Sequence, residues 1–178
     1  MMPRSVSPFR LLARRPHGFT LIEVLIAIVV LAFGLLALAG LQLQMLRFSQ
    51  SASLRTIATA EAASLADHVL SNRAGLDAGY YNQPTAMPAT AAVPACMQVT
   101  GCSGQEIART ALVMWNQNVV ELLGPNAGGM ICIDSTPGDG TLTASACDNL
   151  AGAPYVIKIW WKDDRAGATG QFVTSLQP

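Results

Sequence analysis

The sequence predicts an α+β fold in which a long N-terminal helix packs on a small antiparallel sheet, with a second helix between them in the chain. Three observations predict this fold. An apolar run of helix length lies near the N-terminus, no proline occurs between Pro16 and Pro84, and the hydrophobic period changes from helical to alternating beyond Gly129. The elements are therefore expected in the order long helix, loop, second helix, sheet.

The apolar run has the length of a membrane-spanning helix. No charged residue occurs in the 18 residues from Val24 to Leu41, and about 20 apolar residues cross a bilayer. A secretory signal peptide has a shorter apolar region and ends in a small-residue cleavage site, so a membrane anchor is the better interpretation. Four arginines before the run predict a cytoplasmic N-terminus, with the rest of the chain on the other side of the membrane: Arg4, Arg10, Arg14 and Arg15.

One carboxylate interrupts this apolar segment near its start. An acidic residue at the centre of a membrane helix costs about 2.5–3.5 kcal/mol on insertion scales, and less near an interface. A plain anchor gives no reason to accept that cost at Glu23. We therefore interpret Glu23 as a functional residue.

The residues around Glu23 resemble a known processing signal. The hexapeptide GFTLIE, residues 18–23, follows a short basic leader and continues directly into the apolar run. It resembles the class III signal of type IV pilins and related pseudopilins. The resemblance implies that residues 1–18 are a leader, that a prepilin peptidase cuts between Gly18 and Phe19, and that the new N-terminal Phe19 is methylated.

Such cleavage would supply a positive charge for Glu23. The new amine on Phe19 lies four residues before Glu23, on the same helical face, and opposite charges attract strongly where the dielectric constant is low. Two pairings stay open. The carboxylate neutralises the amine of its own chain or, as the resemblance implies and as we favour, it docks on the amine of a neighbouring subunit in a filament.

The order of elements narrows the resemblance. The long helix, a loop with cysteines, the segment MWNQNVVELLGPNAGGMICID and the late strand YVIKIWWKDD are similar to the PilV-type minor pilins of type IV pili. This similarity implies a leader (1–18), a transmembrane and filament-core helix (19–46) and a periplasmic globular domain (47–178). It places the protein first in the inner membrane, as a single pass with a cytoplasmic N-terminus, and then in the pilus at the cell surface.

The implied function is the assembly or priming of a type IV pilus, in support of adhesion, twitching motility or DNA uptake. The implied partners are the prepilin peptidase, the inner-membrane assembly platform, and other minor and major pilins bound through the N-terminal helix. Two alternatives stay open, because only the N-terminal third of the resemblance is specific. The first is that the chain is a minor pseudopilin of a type II secretion system. The second is that it is a single-pass anchor that carries a periplasmic binding domain.

The long helix is predicted to run from about Thr20 to Asn72, since helix-favouring residues dominate its second half. That half carries an apolar face that we expect to pack on the sheet. The face consists of Leu54, Ala58, Ala62, Leu65 and Val69.

A loop and a second helix follow. Residues 74–95 lack periodicity and are rich in Ala, Pro and Gly, which predicts an exposed loop. The second helix is predicted to begin with a capping box between Ser103 and Glu106 and to end at Gly124-Pro125. Its apolar stripe is expected to consist of Ile107, Ala111, Trp115, Val119 and Leu122.

Three strands complete the fold. They are predicted at Met130–Asp134, Tyr155–Trp161 and Gln171–Leu176, with residues 162–170 as a polar hairpin loop. The alternation in the second strand places Lys158 on the face opposite to that of the Tyr and Ile side chains.

The four cysteines lie beyond the membrane segment, on the side that is predicted to be oxidising. They are Cys96, Cys102, Cys132 and Cys147. Three pairings are possible, and sequence proximity favours Cys96–Cys102 and Cys132–Cys147. A metal site is disfavoured because the spacings are not CxxC and no histidine lies nearby.

The Gly-rich loop after the first strand contains Asp134, Asp139 and Asp148, and some pseudopilins bind calcium in a comparable loop. A DxDxDG ligand array is absent here. A solvated loop without metal is the favoured interpretation, and no cofactor is predicted.

Neither catalysis nor nucleic-acid binding is predicted. His17 lies in the leader, His68 has only Asp67 beside it, and no Ser/His/Asp or phosphate-binding motif occurs. Beyond residue 18 the chain carries 7 basic and 11 acidic residues, a net charge of −4. Its basic residues are scattered, which does not form a nucleic-acid footprint.

Overall fold

The structure, a computed structural model, describes residues 18–88, 90–92, 101–163 and 168–177. It confirms the α+β architecture. The described residues form three helices and three strands: α1 Leu21–Ser71, α2 Arg73–Asp77, α3 Gly104–Leu123, β1 Gly128–Ile133, β2 Tyr155–Lys162 and β3 Thr169–Leu176. By its contacts the chain divides into two compact units, Met1–Gln44 and Met45–Pro178.

The described part of the first unit is the beginning of α1. As a whole, α1 is 51 residues long and begins and ends within one residue of the predicted limits. The prediction succeeded because helix limits depend on local chemistry, here the absence of proline and an unbroken run of residues that favour helix.

The sheet of the second unit is antiparallel throughout, with β2 in the middle. Ile157 is the Cα partner of Ile131 on one side and of Thr174 on the other. All three predicted strands are present. Their limits differ from the prediction by at most two residues. The largest differences are at the starts of β1 and β3, which begin at Gly128 and Thr169.

One apolar core joins α1, α3 and the sheet. The predicted face of α1 is confirmed, since four of its five members are at most 1% exposed and Leu54 is partly buried. The indole Nε1 of Trp115 on α3 donates a hydrogen bond to the carbonyl of Glu61 on α1 at 2.9 Å. Gly129 on β1 lies under the same indole, where a Cβ atom would overlap the ring. The core is therefore fixed by one large aromatic side chain between three elements.

The ends of α3 follow the prediction, whereas its apolar stripe does not. Ser103 and Glu106 form the capping box, and Gly124 ends the helix with a φ of 107° that suits glycine. Ile107 and Leu122, however, are 40% and 50% exposed. The buried face instead consists of Ala108, Leu112, Trp115, Val119 and Leu123.

The buried face of α3 could not be predicted from the helical period of its apolar residues. Both sets of residues repeat at helical spacing and share Trp115 and Val119, so periodicity alone cannot rank them. The position of α1 and the sheet around α3 decides which set is buried.

The prediction that residues 74–95 form an exposed loop is wrong for its first half. The short helix α2 occupies part of it, and both Leu76 and Tyr81 are buried. The Tyr81 hydroxyl donates to the carbonyl of His68 at 3.3 Å, and the backbone N–H of Gln83 donates to the carbonyl of Ile131 on β1 at 2.7 Å. The segment has no regular period, as the sequence indicates. Its first half is nevertheless buried, because it covers the edge of β1.

Candidate processing and assembly site

The segment around the predicted cleavage point is accessible. Gly18, Phe19 and Thr20 are exposed and belong to no helix or strand, and the Phe19 side chain is 83% exposed. Helical hydrogen bonding begins at Thr20, whose carbonyl accepts from the N–H groups of Glu23 and Val24 at 3.1 and 3.3 Å. The Gly18–Phe19 peptide bond therefore lies outside the hydrogen-bonded helix, in a backbone that a peptidase can bind in extended form.

The packing of the described residues does not require glycine at position 18. Among the described residues, a Cβ atom placed on Gly18 would meet no heavy atom within 4 Å. An alanine at this position is therefore compatible with the structure.

Glu23 lies in the first turn of α1 with its side chain exposed. A carboxylate there is stabilised by the N-terminal end of the helix dipole, an effect of about 0.3–1 kcal/mol at an exposed site. Among the described residues, no salt bridge involves Glu23. Its charge is thus available to a group that the described chain does not provide.

The helix that follows Glu23 is apolar on every side. The large apolar side chains from Phe19 to Phe48 are 49–83% exposed. The most apolar 18-residue window of α1 has a mean hydropathy of 3.0 and none of it is buried, and among the described residues α1 is the one helix that is long and apolar enough to cross a membrane. A helix without a polar face needs lipid or other protein around it.

A comparison with protein families recognises this segment. Residues 13–39 match the prokaryotic N-terminal methylation motif. The chain therefore carries a prepilin leader of the type IV pilin-like kind, and the matched residues include Gly18, Phe19 and Glu23. Together with the apolar helix, the motif fits a membrane-anchored pilin-like protein. No curated protein and no solved structure matches the chain.

The cysteine pairing is described in part. The structure joins Cys132 on β1 to Cys147, at a sequence separation of 15, which is the pairing that sequence proximity favours. The other favoured pair, Cys96–Cys102, stays a prediction because Cys96 lies outside the described residues. Ligand atoms of Cys132, Asp134 and Cys147 lie within 4.8 Å of one another. The two sulfurs are bonded to each other, however, so neither is the thiolate that a metal would need.

The interpretation of the acidic loop as solvated is wrong for Asp134, which is fully buried. Its carboxylate lies 2.5 Å from Nζ of Lys158, whose side chain is also fully buried, on the middle strand of the sheet. Asp139 adds a second carboxylate at 3.0 Å from the same nitrogen. Asp148 is held elsewhere in the loop, by hydrogen bonds from Ser135.

Lys158 keeps its positive charge although its side chain is buried. Burial alone would lower the pKa of Lys158, but hydrogen bonds to Asp134 and Asp139 outweigh it and hold this pKa above its ordinary value. The hydrogen bond from Lys158 correspondingly lowers the pKa of Asp139, and a second one from Thr136 acts in the same direction. Lys158 is therefore an ammonium ion over the whole physiological range of pH.

The alternation in the second strand predicts the face of the sheet on which Lys158 lies, but it predicts no carboxylate partner for the ammonium group. The available signal was a single charge in the middle of the apolar strand YVIKIWW. A lysine is almost never fully buried unless it is paired, so this position could have directed attention to the aspartates of the preceding loop.

Proposed function

We propose that the chain is the precursor of a minor pilin. A prepilin peptidase removes residues 1–18 by cutting between Gly18 and Phe19, and Phe19 is then methylated. The observation that carries this proposal is the accessible, non-helical Gly18–Thr20 segment, which continues directly into a helix that is apolar on all sides. The methylation motif matched over residues 13–39 supports it.

The apolar helix has two successive environments in this proposal. Residues 19–46 first hold the protein in the inner membrane, with the N-terminus in the cytoplasm and residues 47–178 in the periplasm. The disulfide between Cys132 and Cys147 supports this placement, because disulfides form in an oxidising compartment such as the periplasm. The helix then moves from lipid into the core of a filament, where neighbouring helices cover the same apolar surface, so that the transfer costs little hydrophobic free energy.

Glu23 guides this transfer. The carboxylate attracts the new amine of Phe19 on a neighbouring subunit, and the attraction is strong because the filament core has a low dielectric constant. Such a charge pair fixes the axial position of one helix against the next, which a uniform apolar surface cannot do. The exposed position of Glu23 and its lack of a salt bridge among the described residues support this role.

The order of elements supports a PilV-type minor pilin that takes part in pilus assembly or priming. Its partners are the peptidase, the assembly platform, and major and minor pilins that bind through the N-terminal helix. The protein acts by assembly and carries out no catalytic turnover.

Substitution of Gly18 tests the processing step. We expect Gly18→Ala to insert into the membrane normally but to remain largely uncleaved, because the structure accommodates the methyl group and a peptidase that demands glycine does not. Intact-mass spectrometry of membrane-extracted protein measures the cleavage and the added methyl group. Gly40→Ala is the matched control, since a Cβ there also meets no atom within 4 Å.

Two results would contradict the proposal. One is a mature product of normal mass from Gly18→Ala. The other is wild-type protein that keeps its first residues and carries no methyl group on Phe19, which would favour a simple membrane anchor.

A further inference from the structure

The ammonium group of Lys158 lies in a cage of oxygen atoms. Its Nζ is 2.5 Å from Oδ2 of Asp134, 3.0 Å from Oδ1 of Asp139, 3.1 Å from the carbonyl of Asp139 and 3.0 Å from the carbonyl of Ser145. The three protons of the ammonium are used by the carbonyl of Asp139, its Oδ1 and the carbonyl of Ser145, so that the buried Oδ2 of Asp134 is a fourth oxygen at ion-pair distance. Four oxygens from two carboxylates and two carbonyls therefore surround one cation, with one of the carboxylate oxygens left over from the hydrogen bonds.

The chemistry of this cage is that of a hard cation site. Two carboxylates and two backbone carbonyls are the oxygen ligands that calcium prefers, at 2.3–2.6 Å. The cage carries two negative charges and Lys158 supplies one positive charge, so the site as a whole keeps a net charge of −1. A divalent ion in place of the ammonium would neutralise it.

The cage is built by the loop and held from outside. Thr136 orients both carboxylates, because its N–H donates to Oδ1 of Asp134 at 3.0 Å and its hydroxyl donates to Oδ2 of Asp139 at 2.9 Å. The disulfide of Cys132 and Cys147 closes the loop. The two carboxylates are thus also held by contacts that do not include Lys158.

We propose that Lys158 is the structural cation of the loop between Cys132 and Cys147, and that the same oxygens form a calcium site once the ammonium is removed. In the wild-type protein the lysine enters from the middle strand of the sheet and fills the site. The loop is therefore ordered without metal. Its stability does not follow the calcium concentration outside the cell.

Calcium titrations of the full-length chain in detergent test this proposal. We expect the melting temperature of the wild-type protein to be the same in calcium and in a chelator. Lys158→Ala should melt at a lower temperature in the chelator, bind one calcium ion at up to millimolar concentration by calorimetry, and regain a large part of its lost stability. Lys158→Met is the matched control, because its apolar side chain removes the charge while it still fills the space.

A double variant identifies the ligands. Lys158→Ala combined with Asp139→Asn should lose the calcium response, because one of the two carboxylates is gone. Lys158→Met should be destabilised and should not respond to calcium.

Three results would overturn the proposal. The first is a wild-type melting temperature that rises with calcium and loses this rise in Asp139→Asn, since the loop would then bind metal beside the lysine. The second is a Lys158→Ala variant that is folded, with its disulfide intact, and shows no calcium response. The third is failure of both lysine variants to fold with calcium present as well as without it, because calcium would then not replace the ammonium.

Discussion

Two charged residues, Glu23 and Lys158, lie in apolar segments of the chain, and they differ in burial and in ion pairing. Lys158 is buried and is paired within its own chain by Asp134 and Asp139. Glu23 is exposed and has no salt bridge among the described residues. A charge that is kept in an apolar segment without an internal partner points to a functional role, which is why we propose a role in assembly for Glu23, whereas the contacts of Lys158 place that residue within the fold.

We expect Glu23→Leu to be cleaved and methylated like the wild-type protein but to be lost from the filament. The substitution removes the charge that fixes one helix against the next and leaves the apolar surface in place. Immunoblots that compare sheared filaments with membranes measure incorporation. Glu121→Gln, which removes an exposed carboxylate from α3, is the control and should be incorporated normally.

The alternative role of Glu23 gives a different result. If the carboxylate only neutralises the amine of its own chain, Glu23→Leu should still enter filaments in wild-type amounts. Glu23→Asp keeps the charge on a shorter side chain, so partial incorporation of this variant would support docking.

At the scale of the elements, contact between α3 and β1 depends on one position without a side chain. Gly129 lies under the Trp115 ring, and the backbone N–H of Gly129 donates to the side-chain oxygen of Asn116 at 2.9 Å. Periodicity predicted the helix and the strand, and it predicted the burial of Trp115. It did not predict this contact, since the contact depends on how two elements meet.

We expect Gly129→Ala to destabilise the protein by about 1–3 kcal/mol, the usual cost of an added methylene group in a packed core. The new methyl group overlaps the Trp115 indole, whose hydrogen bond to the carbonyl of Glu61 limits its movement. Chemical denaturation followed by tryptophan fluorescence measures the change. Gly138→Ala serves as the control because its Cβ meets no atom within 4 Å, and equal stability of the two variants would contradict this account of the core.

At the scale of the whole molecule, the two compact units differ in what their surfaces require. The described core and the residues packed on it begin at Leu54, whereas the apolar window of α1 is not buried at all. The second unit thus has a core of its own, whereas the described part of the first exposes an apolar surface that needs lipid or other protein around it.

We expect a fragment of residues 45–178 to be soluble without detergent and to unfold cooperatively, because the described core lies within it. Circular dichroism during heating measures this transition. The same fragment with Cys132→Ser and Cys147→Ser should be less stable by about 3 kcal/mol, the loop entropy that a disulfide over 15 residues removes. A fragment that aggregates, or that melts without cooperativity, would show that the second unit depends on residues 1–44.

Features that depend on neighbours in sequence were predictable from the sequence. The limits of α1, the capping box of Ser103 and Glu106 and the end of α3 at Gly124 all follow from local chemistry. Burial was less predictable. Ile107 has the correct period and is exposed, whereas Tyr81 lies in a segment without any period and is fully buried.

The sequence by itself determined the N-terminal methylation motif, since Gly18, Phe19 and Glu23 lie within six residues of one another and the motif is matched on local sequence alone. Only the tertiary structure decided the role of the acidic loop. Asp134 and Lys158 are far apart in the chain, and no pattern in either segment states that the sheet brings them within 2.5 Å. A linear motif depends on residues that are neighbours in sequence, whereas the oxygen cage around Lys158 exists only where separate segments meet. The burial of the whole core brings those segments together.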